Sequence, residues 1–207
     1  MILFFEKCGK SVGGITEEAL NTRYIQDIKS GTLHPSTYGA FNVSDAYYCF
    51  NGANDYAKAE KRAEQLGLKS YLTEKQNSYA KYNKEFTKSW HIKDAEGVIP
   101  TPVCKDYSDF ETKIATQRDP VYCIPLMLPC EYLWSWIASE LAESPPVPNN
   151  LYQSWITDND DPKGAYAMGN FINQEPFKSY INDDEAISIY KQAITYEFKN
   201  FKTATHT

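Results

Sequence analysis

The sequence predicts an all-α protein: one domain of 207 residues, folded as a bundle of about seven or eight helices. Three observations carry this. Apolar residues recur at threes and fours through several long stretches, which is the period of one helix face. No stretch alternates apolar and polar residues as a half-buried strand does. Glycines and prolines fall mainly between the periodic stretches rather than inside them.

The elements follow in order. The apolar start MILFFEKCGK gives way to the glycine pair at 13–14, which marks a loop. Thr16 then reads as the N-cap of a short helix with Glu17 and Glu18 in its first turn. Leu20, Tyr24, Ile25 and Ile28 give this helix its face, and Gly31 ends it. Pro35 is pre-organised to open the longest helix, which runs to Leu66 or Gly67 with a kink expected near Gly52. Its face is Tyr38, Phe41, Tyr48, Tyr56, Ala59, Ala63 and Leu66. A third helix is expected from Thr73, as cap, to Trp90, with Tyr79, Tyr82, Phe86 and Trp90 as its stripe. His91 borders the next loop and reads as a helix-end histidine. The segment at 95–104 is a linker, Ser108 to Gln117 a short polar helix, and Asp119–Pro120 a cap and first position.

The most apolar stretch is VYCIPLMLPCEYLWSWIASEL, where Met127, Cys130, Leu133, Trp134, Ile137 and Leu141 share a face. Pro125 and Pro129 each remove a donor and are expected to bend or break that helix. The run ESPPVPNN stops it. A short amphipathic helix around Tyr152–Ile156, weak helices around 165–172 and 175–180, and a final helix from Asp183 to Lys202 complete the chain. In the last helix Ile187, Tyr190, Ile194, Phe198 and Phe201 face inward.

Composition narrows the function. Net charge is −6 and the basic residues are scattered, which excludes a nucleic-acid surface. No apolar run is long enough to span a membrane, and the start lacks the pattern of a signal peptide. Five cysteines without a CxxC pair point to a reduced, cytoplasmic chain. His34, His91 and His206 stand apart, so no metal centre is expected, and no cofactor motif occurs.

Three polar groups break the apolar faces. Asp45 sits on the inward stripe of the longest helix, three residues before Tyr48, with Gly52 leaving a gap one turn on. It is either a structural carboxylate capping a neighbouring loop or the wall of a pocket. Cys130 follows Pro129. It is an inert core thiol, or, if Pro129 opens a fresh helix, a thiolate favoured by the helix dipole. Glu197 lies between Ile194 and Phe201 on the last helix. Three such groups on separate elements point to a common site.

These residues carry a resemblance. The stretch SGTLHPSTYGAFNVSDAYYCF resembles the TenA/THI-4 pattern of dGtLp followed by QDYxY, and LPCEYLWSWI resembles its LPCxWxYxxI motif. LYQSWI resembles YxxWI, and TYEFKNF resembles the last-helix YEYxFW. The order holds over almost the whole chain. The resemblance implies the haem oxygenase-like helical fold and a homo-oligomer, dimer or tetramer. It implies Cys130 as nucleophile, Glu197 as acid/base, Asp45 as the residue binding the aminopyrimidine and supporting the nucleophile, and Tyr48 as a hydrogen-bond partner near the reacting carbon. Phe41, Trp134, Asn159 and Phe201 are expected to line the substrate, and the four catalytic residues to border one small cavity.

The implied activity is thiaminase II-like hydrolysis of a small aminopyrimidine in thiamine salvage, through a cysteine adduct and without metal or cofactor. The sequence departs from the family pattern in several places, Thr22–Tyr24 among them. Trp134 replaces a tyrosine and loses its hydroxyl, Asn159 replaces a stacking tyrosine, Ser44 replaces the glutamine, and Asn200–Phe201 replaces Phe-Trp. They motivate two alternatives: a divergent hydrolase of another small amine, and a structural or regulatory protein without turnover.

Overall fold

Two features of the longest helix determine how its neighbours pack: it runs without interruption from Pro35 to Arg62, and it buries polar side chains along one face. The structure, a computed structural model, describes residues 4–205, without the Phe5 side chain; His206 lies outside them. Every regular element among the described residues is helical. There are eleven α-helical segments and two 3₁₀ turns, in the order α1 (Phe4–Ser11), α2 (Ile15–Leu20), α3 (Arg23–Ser30), α4 (Pro35–Arg62), α5 (Leu66–Trp90), a turn at Ala95–Gly97, α6 (Pro102–Gln117), a turn at Pro120–Tyr122, α7 (Cys123–Ala142), α8 (Gln153–Asn159), α9 (Lys163–Ile172), α10 (Phe177–Tyr180) and α11 (Asp183–Thr203).

The chain divides into two compact units. One holds the residues up to Tyr38 and those from Ile124 onward; the other is the continuous stretch Gly39–Cys123. In the first, α11 packs against α1, α2 and α3, α9 against α1 and α10, and α3 against α8. Tyr24, Ile25, Ile28, Leu133, Ile137, Tyr190, Ile194 and Phe201 are buried there.

In the second unit α5 runs antiparallel to α4. Asn83 donates to the Cys49 carbonyl at 3.1 Å, Tyr79 meets Tyr56 edge-on at 5.3 Å, and Lys69 pairs with Glu60 at 3.5 Å. The α6 helix runs parallel to α4, and hydrogen bonds run along the seam between them. Thr101 N–H donates to Ser44 Oγ at 3.0 Å. Tyr48 donates to Glu111 at 2.8 Å, Thr112 to both oxygens of Asp55 at 2.9 and 3.0 Å, and Arg62 to the Ala115 carbonyl at 2.7 Å. Asp55 is fully buried; burial pushes its carboxyl up, and hydrogen bonds from Lys58 and Thr112 act against that.

Several elements differ from the sequence expectation. The helix expected to start at Thr16 is two, because Asn21 and Thr22 turn their side chains onto the Glu17 and Ala19 carbonyls and end α2. Helix α4 stops at Arg62, and Leu66 opens α5 instead, 79 % exposed. Thr73 is therefore interior to α5, where its hydroxyl donates to the Lys69 carbonyl. Helix α6 starts at Pro102, not Ser108, with Thr101 as its cap. Pro129 lies inside a continuous α7, so Cys130 gains no fresh helix N-terminus. Pro129 lacks the N–H that would reach the Pro125 carbonyl, and that is the extent of the interruption in the ladder.

Gly31 does end α3. Its φ is 74°, and a Cβ there would meet Asn150 atoms at 3.2 Å. Asn150 itself donates to the Ile28 carbonyl at 2.9 Å and accepts from Tyr152 N–H at 2.8 Å. Gly31→Ala is expected to destabilise the protein by about 1–2 kcal/mol, through left-handed strain and displacement of Asn150. Urea denaturation checks this; a change below about 0.5 kcal/mol would contradict it.

Candidate active site

The expected site residues fall into two groups, one in each unit. The first group is Cys130 and Trp134 on α7, Glu197 and Phe201 on α11, and Asn159 at the end of α8. The second is Phe41, Asp45 and Tyr48, all on α4.

Trp134 is the junction of the first group. Cys130 and Trp134 are four residues apart and so lie on one face of α7. Glu197 and Phe201 stand in the same relation on α11. The Trp134 ring lies 5.5 Å from Phe201 and 5.5 Å from Trp155 of α8, centroid to centroid. Its indole N–H donates to Glu197 Oε2 at 3.1 Å. Glu197 is 3 % exposed, and a carboxyl so buried needs such a partner. The substitution expected to lose a hydroxyl thus keeps a hydrogen-bond donor.

The change has a chemical consequence. A tyrosine hydroxyl either gives or takes a proton, whereas an indole only gives. Oε2 is therefore an acceptor toward Trp134.

Cys130 is half-buried and outside any disulfide, while Cys8, Cys49, Cys104 and Cys123 are buried. Burial, then the nearby Asp183, pushes the Cys8 thiol up to about 12. Burial, then Asp55 and Glu111, pushes Cys123 further up. Asn159 turns its amide back to the Trp155 carbonyl at 2.7 Å, holding the last turn of α8 and offering no ring. Two small cavities of this unit, about 40 Å³ beside Lys29 and Leu141 and about 100 Å³ beside Lys7 and Asp183, contain none of the candidate residues.

In the second group Asp45 is half-buried, and the Cys49 thiol points to its Oδ2 at 3.8 Å. Phe41 is half-buried. Tyr48 is 2 % exposed and stacks, tilted, on Tyr107 at 4.8 Å. The partner of its hydroxyl is Glu111, fully buried on α6. Sequence reasoning missed Glu111 because it began this helix at Ser108 and read it as short and polar. With α6 begun at Pro102, the buried stripe Cys104, Tyr107, Ser108, Glu111, Ile114 and Ala115 has helical spacing, and Glu111 is its one charged member.

Among the described residues, no group of three or more His, Cys, Asp or Glu side chains is arranged to hold a metal ion, and no helix is long and apolar enough to cross a membrane.

The chain is all-helical among the described residues, with a half-buried cysteine and a buried glutamate on two helices joined by Trp134. The sequence matches the TENA/THI-4/PQQC family over residues 11–201, and the chain belongs to that family. Solved structures agree in fold. A TenA homologue from P. horikoshii OT3 superposes with a TM-score of 0.81 at 18 % identity, covering 99 % of both chains. A TenA family transcription regulator from Silicibacter sp. TM1040 gives 0.81 at 13 %, covering 97 % of this chain and 96 % of its own. A TenA homologue from Pyrococcus furiosus gives 0.78 at 14 %, covering 98 % and 100 %. No protein of curated function matches the sequence.

Trp134→Phe keeps a ring between Phe201 and Trp155 but removes the donor to Glu197. It is expected to cost about 1–3 kcal/mol, the penalty for stripping a partner from a buried acceptor. Chemical denaturation measures this, and an unchanged midpoint would show that Glu197 does not depend on the indole.

Proposed function

We propose that this protein is a cytoplasmic aminopyrimidine hydrolase of the thiaminase II type, in which Cys130 is the nucleophile and Glu197 the acid/base. The observation that carries the reading is the pairing on α7 and α11. A half-exposed thiol shares a helix face with Trp134, and Trp134 holds the buried Glu197 by one carboxyl oxygen. Family membership supplies the hydrolase class.

The chemistry proceeds by addition and elimination. The Cys130 thiolate adds to a ring carbon of the pyrimidine as a proton from Glu197 goes to a ring nitrogen. The C–N bond of the exocyclic methylene then breaks, the amine or thiazole leaving with its electron pair and the methylene becoming doubly bonded to the ring. Glu197, now ionised, takes a proton from water as the water oxygen bonds the methylene carbon; the C–S bond then breaks, the ring nitrogen gives up its proton, and the thiolate and the aromatic ring are restored. All bonds made and broken lie between protein, substrate and water.

Asn159 favours a narrower substrate range. Its amide is committed to the α8 backbone, so no aromatic platform stands at that position. Loss of stacking weakens binding by about 0.5–1.5 kcal/mol, several-fold to about tenfold. The aminomethyl aminopyrimidine is therefore expected to be turned over with a higher kcat/KM than thiamine. A clear preference for thiamine would contradict this, and turnover only of another small amine would favour the divergent-hydrolase reading.

Cys130→Ala should fold and lose activity by orders of magnitude, and Glu197→Gln should lose about 10²–10⁴-fold in kcat. Steady-state assays with both pyrimidines decide this. Normal turnover per folded molecule in Cys130→Ala would overturn the reading, and no turnover by the unmodified chain would point to a structural or regulatory role. In a parallel alkylation experiment followed by mass spectrometry, Cys130 should label ahead of the four buried thiols and be protected by substrate.

A further inference from the structure

The turn of α7 that carries Cys130 is disturbed on both sides. Pro129 has no N–H to give the Pro125 carbonyl, so that bond of the ladder is missing. One turn on, the Ser135 hydroxyl lies 2.9 Å from the Glu131 carbonyl oxygen and 3.0 Å from that of Tyr132. A hydroxyl bonded back in this way slightly weakens a helix. Contacts to neighbouring helices therefore matter more for the direction of this turn than elsewhere in α7.

Glu131, the residue after Cys130, makes such a contact. It is half-buried, and its carboxyl reaches the first turn of α9. A Cβ built on Gly164 would overlap Glu131 Oε2 and stand 3.3 Å from its Cδ. The carboxyl thus fills the space from which any other side chain at 164 would start. The backbone does not call for glycine there. Among the described residues the glycines with positive φ are Gly13 and Gly31, so residue 164 has a conformation open to any residue. The first N–H groups of a helix have no acceptor within it. Pro162, at the cap position of α9, brings no side-chain oxygen, and the Lys163 N–H is taken by Asp161 Oδ1 at 3.1 Å. An oxygen supplied from α7 beside the next residue suits this end of α9.

We infer that Glu131 is a positioning residue: seated against Gly164, its carboxyl ties the Cys130 turn of α7 to α9 and fixes where the sulfur points. The inference rests on the reading of Cys130 as nucleophile, and it makes Gly164 a requirement of that placement. Consecutive Cα atoms are about 3.8 Å apart, so a sideways movement of residue 131 is passed on to residue 130. Misplacing a reacting group by about 1 Å can cost about 10²-fold in rate.

The test uses Glu131→Ala, Glu131→Gln, Gly164→Ala and the double variant Glu131→Ala with Gly164→Ala. Three quantities are read for each. They are hydrogen exchange of the α7 peptide containing Cys130, kcat and KM on the aminomethyl aminopyrimidine, and the unfolding temperature. Gly164→Ala displaces the carboxyl. It and Glu131→Ala should each speed exchange in that peptide about tenfold, and lower kcat about tenfold with KM within about twofold. The double variant should lose no more than Glu131→Ala, because the added methyl enters space the carboxyl has left. Glu131→Gln keeps the shape and an acceptor oxygen, and should stay within about threefold of the unmodified chain in exchange and kcat.

Unchanged exchange in the Cys130 peptide after Gly164→Ala would overturn the inference. So would equal losses from Gly164→Ala with and without Glu131→Ala, or losses of kcat that follow the unfolding temperature across the variants. If Gly164→Ala does not fold, Glu131→Ala against Glu131→Gln carries the comparison, and equal losses from these two would overturn it. Failure of the hydrolase reading shows separately, as turnover that survives Cys130→Ala or is absent from the unmodified chain. In the latter case hydrogen exchange decides whether Glu131 and Gly164 hold the turn.

Discussion

Buried polar groups must find partners, and in Gly39–Cys123 that requirement dictates the packing. Helix α4 buries Ser44, Tyr48 and Asp55 on the face where leucine is the easier choice. Leaving any of them unmet costs about 1–3 kcal/mol each. Only a helix bringing matching groups at matching heights can cover such a face, and α6 does so with Thr101, Glu111 and Thr112. An apolar seam tolerates sliding by a turn. This one does not, because a shift of one turn would separate every pair at once. Register is held by hydrogen bonds, and the neighbouring aromatic pair Tyr48–Tyr107 falls into place with it.

In the other unit Glu197 is the one buried carboxylate among the described residues, and Trp134 meets it while packing against rings from two other helices. One side chain thus combines packing and hydrogen bonding, so the orientation of the carboxyl is tied to the positions of α7, α8 and α11. A tyrosine in its place has a smaller ring and a hydroxyl free to reverse its role. The tryptophan exchanges that freedom for a defined direction.

The legible parts of the chain were those with local chemistry. Gly31 and Asp119–Pro120 are punctuation whose meaning is set within four residues, and both hold in the structure. Glu197 stood out because an acid between Ile194 and Phe201 breaks an otherwise apolar stripe. The illegible parts depended on partners distant in sequence or on competition between weak signals. Nothing local marks the stop at Arg62, since the residues that follow are good helix formers and Gly67 lies inside α5. Pro129 suggested a break, but the surrounding apolar residues are buried on all sides and hold α7 straight through. Glu111 looked like one charge among many in a polar segment. Its burial is known only once Tyr48, sixty-three residues earlier, is placed beside it.

The division of the chain also sets an order of assembly during synthesis. The Gly39–Cys123 unit is continuous, and its three helices pair among themselves, so its contacts are available as soon as it leaves the ribosome. The other unit is discontinuous. Helices α1, α2 and α3 are made well before α11, against which all three pack. Tyr24 stacks on Phe201, and Lys7 pairs with Asp183. Until that helix arrives, the buried face of α3, with Tyr24, Ile25 and Ile28, lacks part of its cover. The nascent chain therefore carries an incompletely covered apolar segment while more than a hundred and fifty residues are added, and it is this stretch that a chaperone would have to shield.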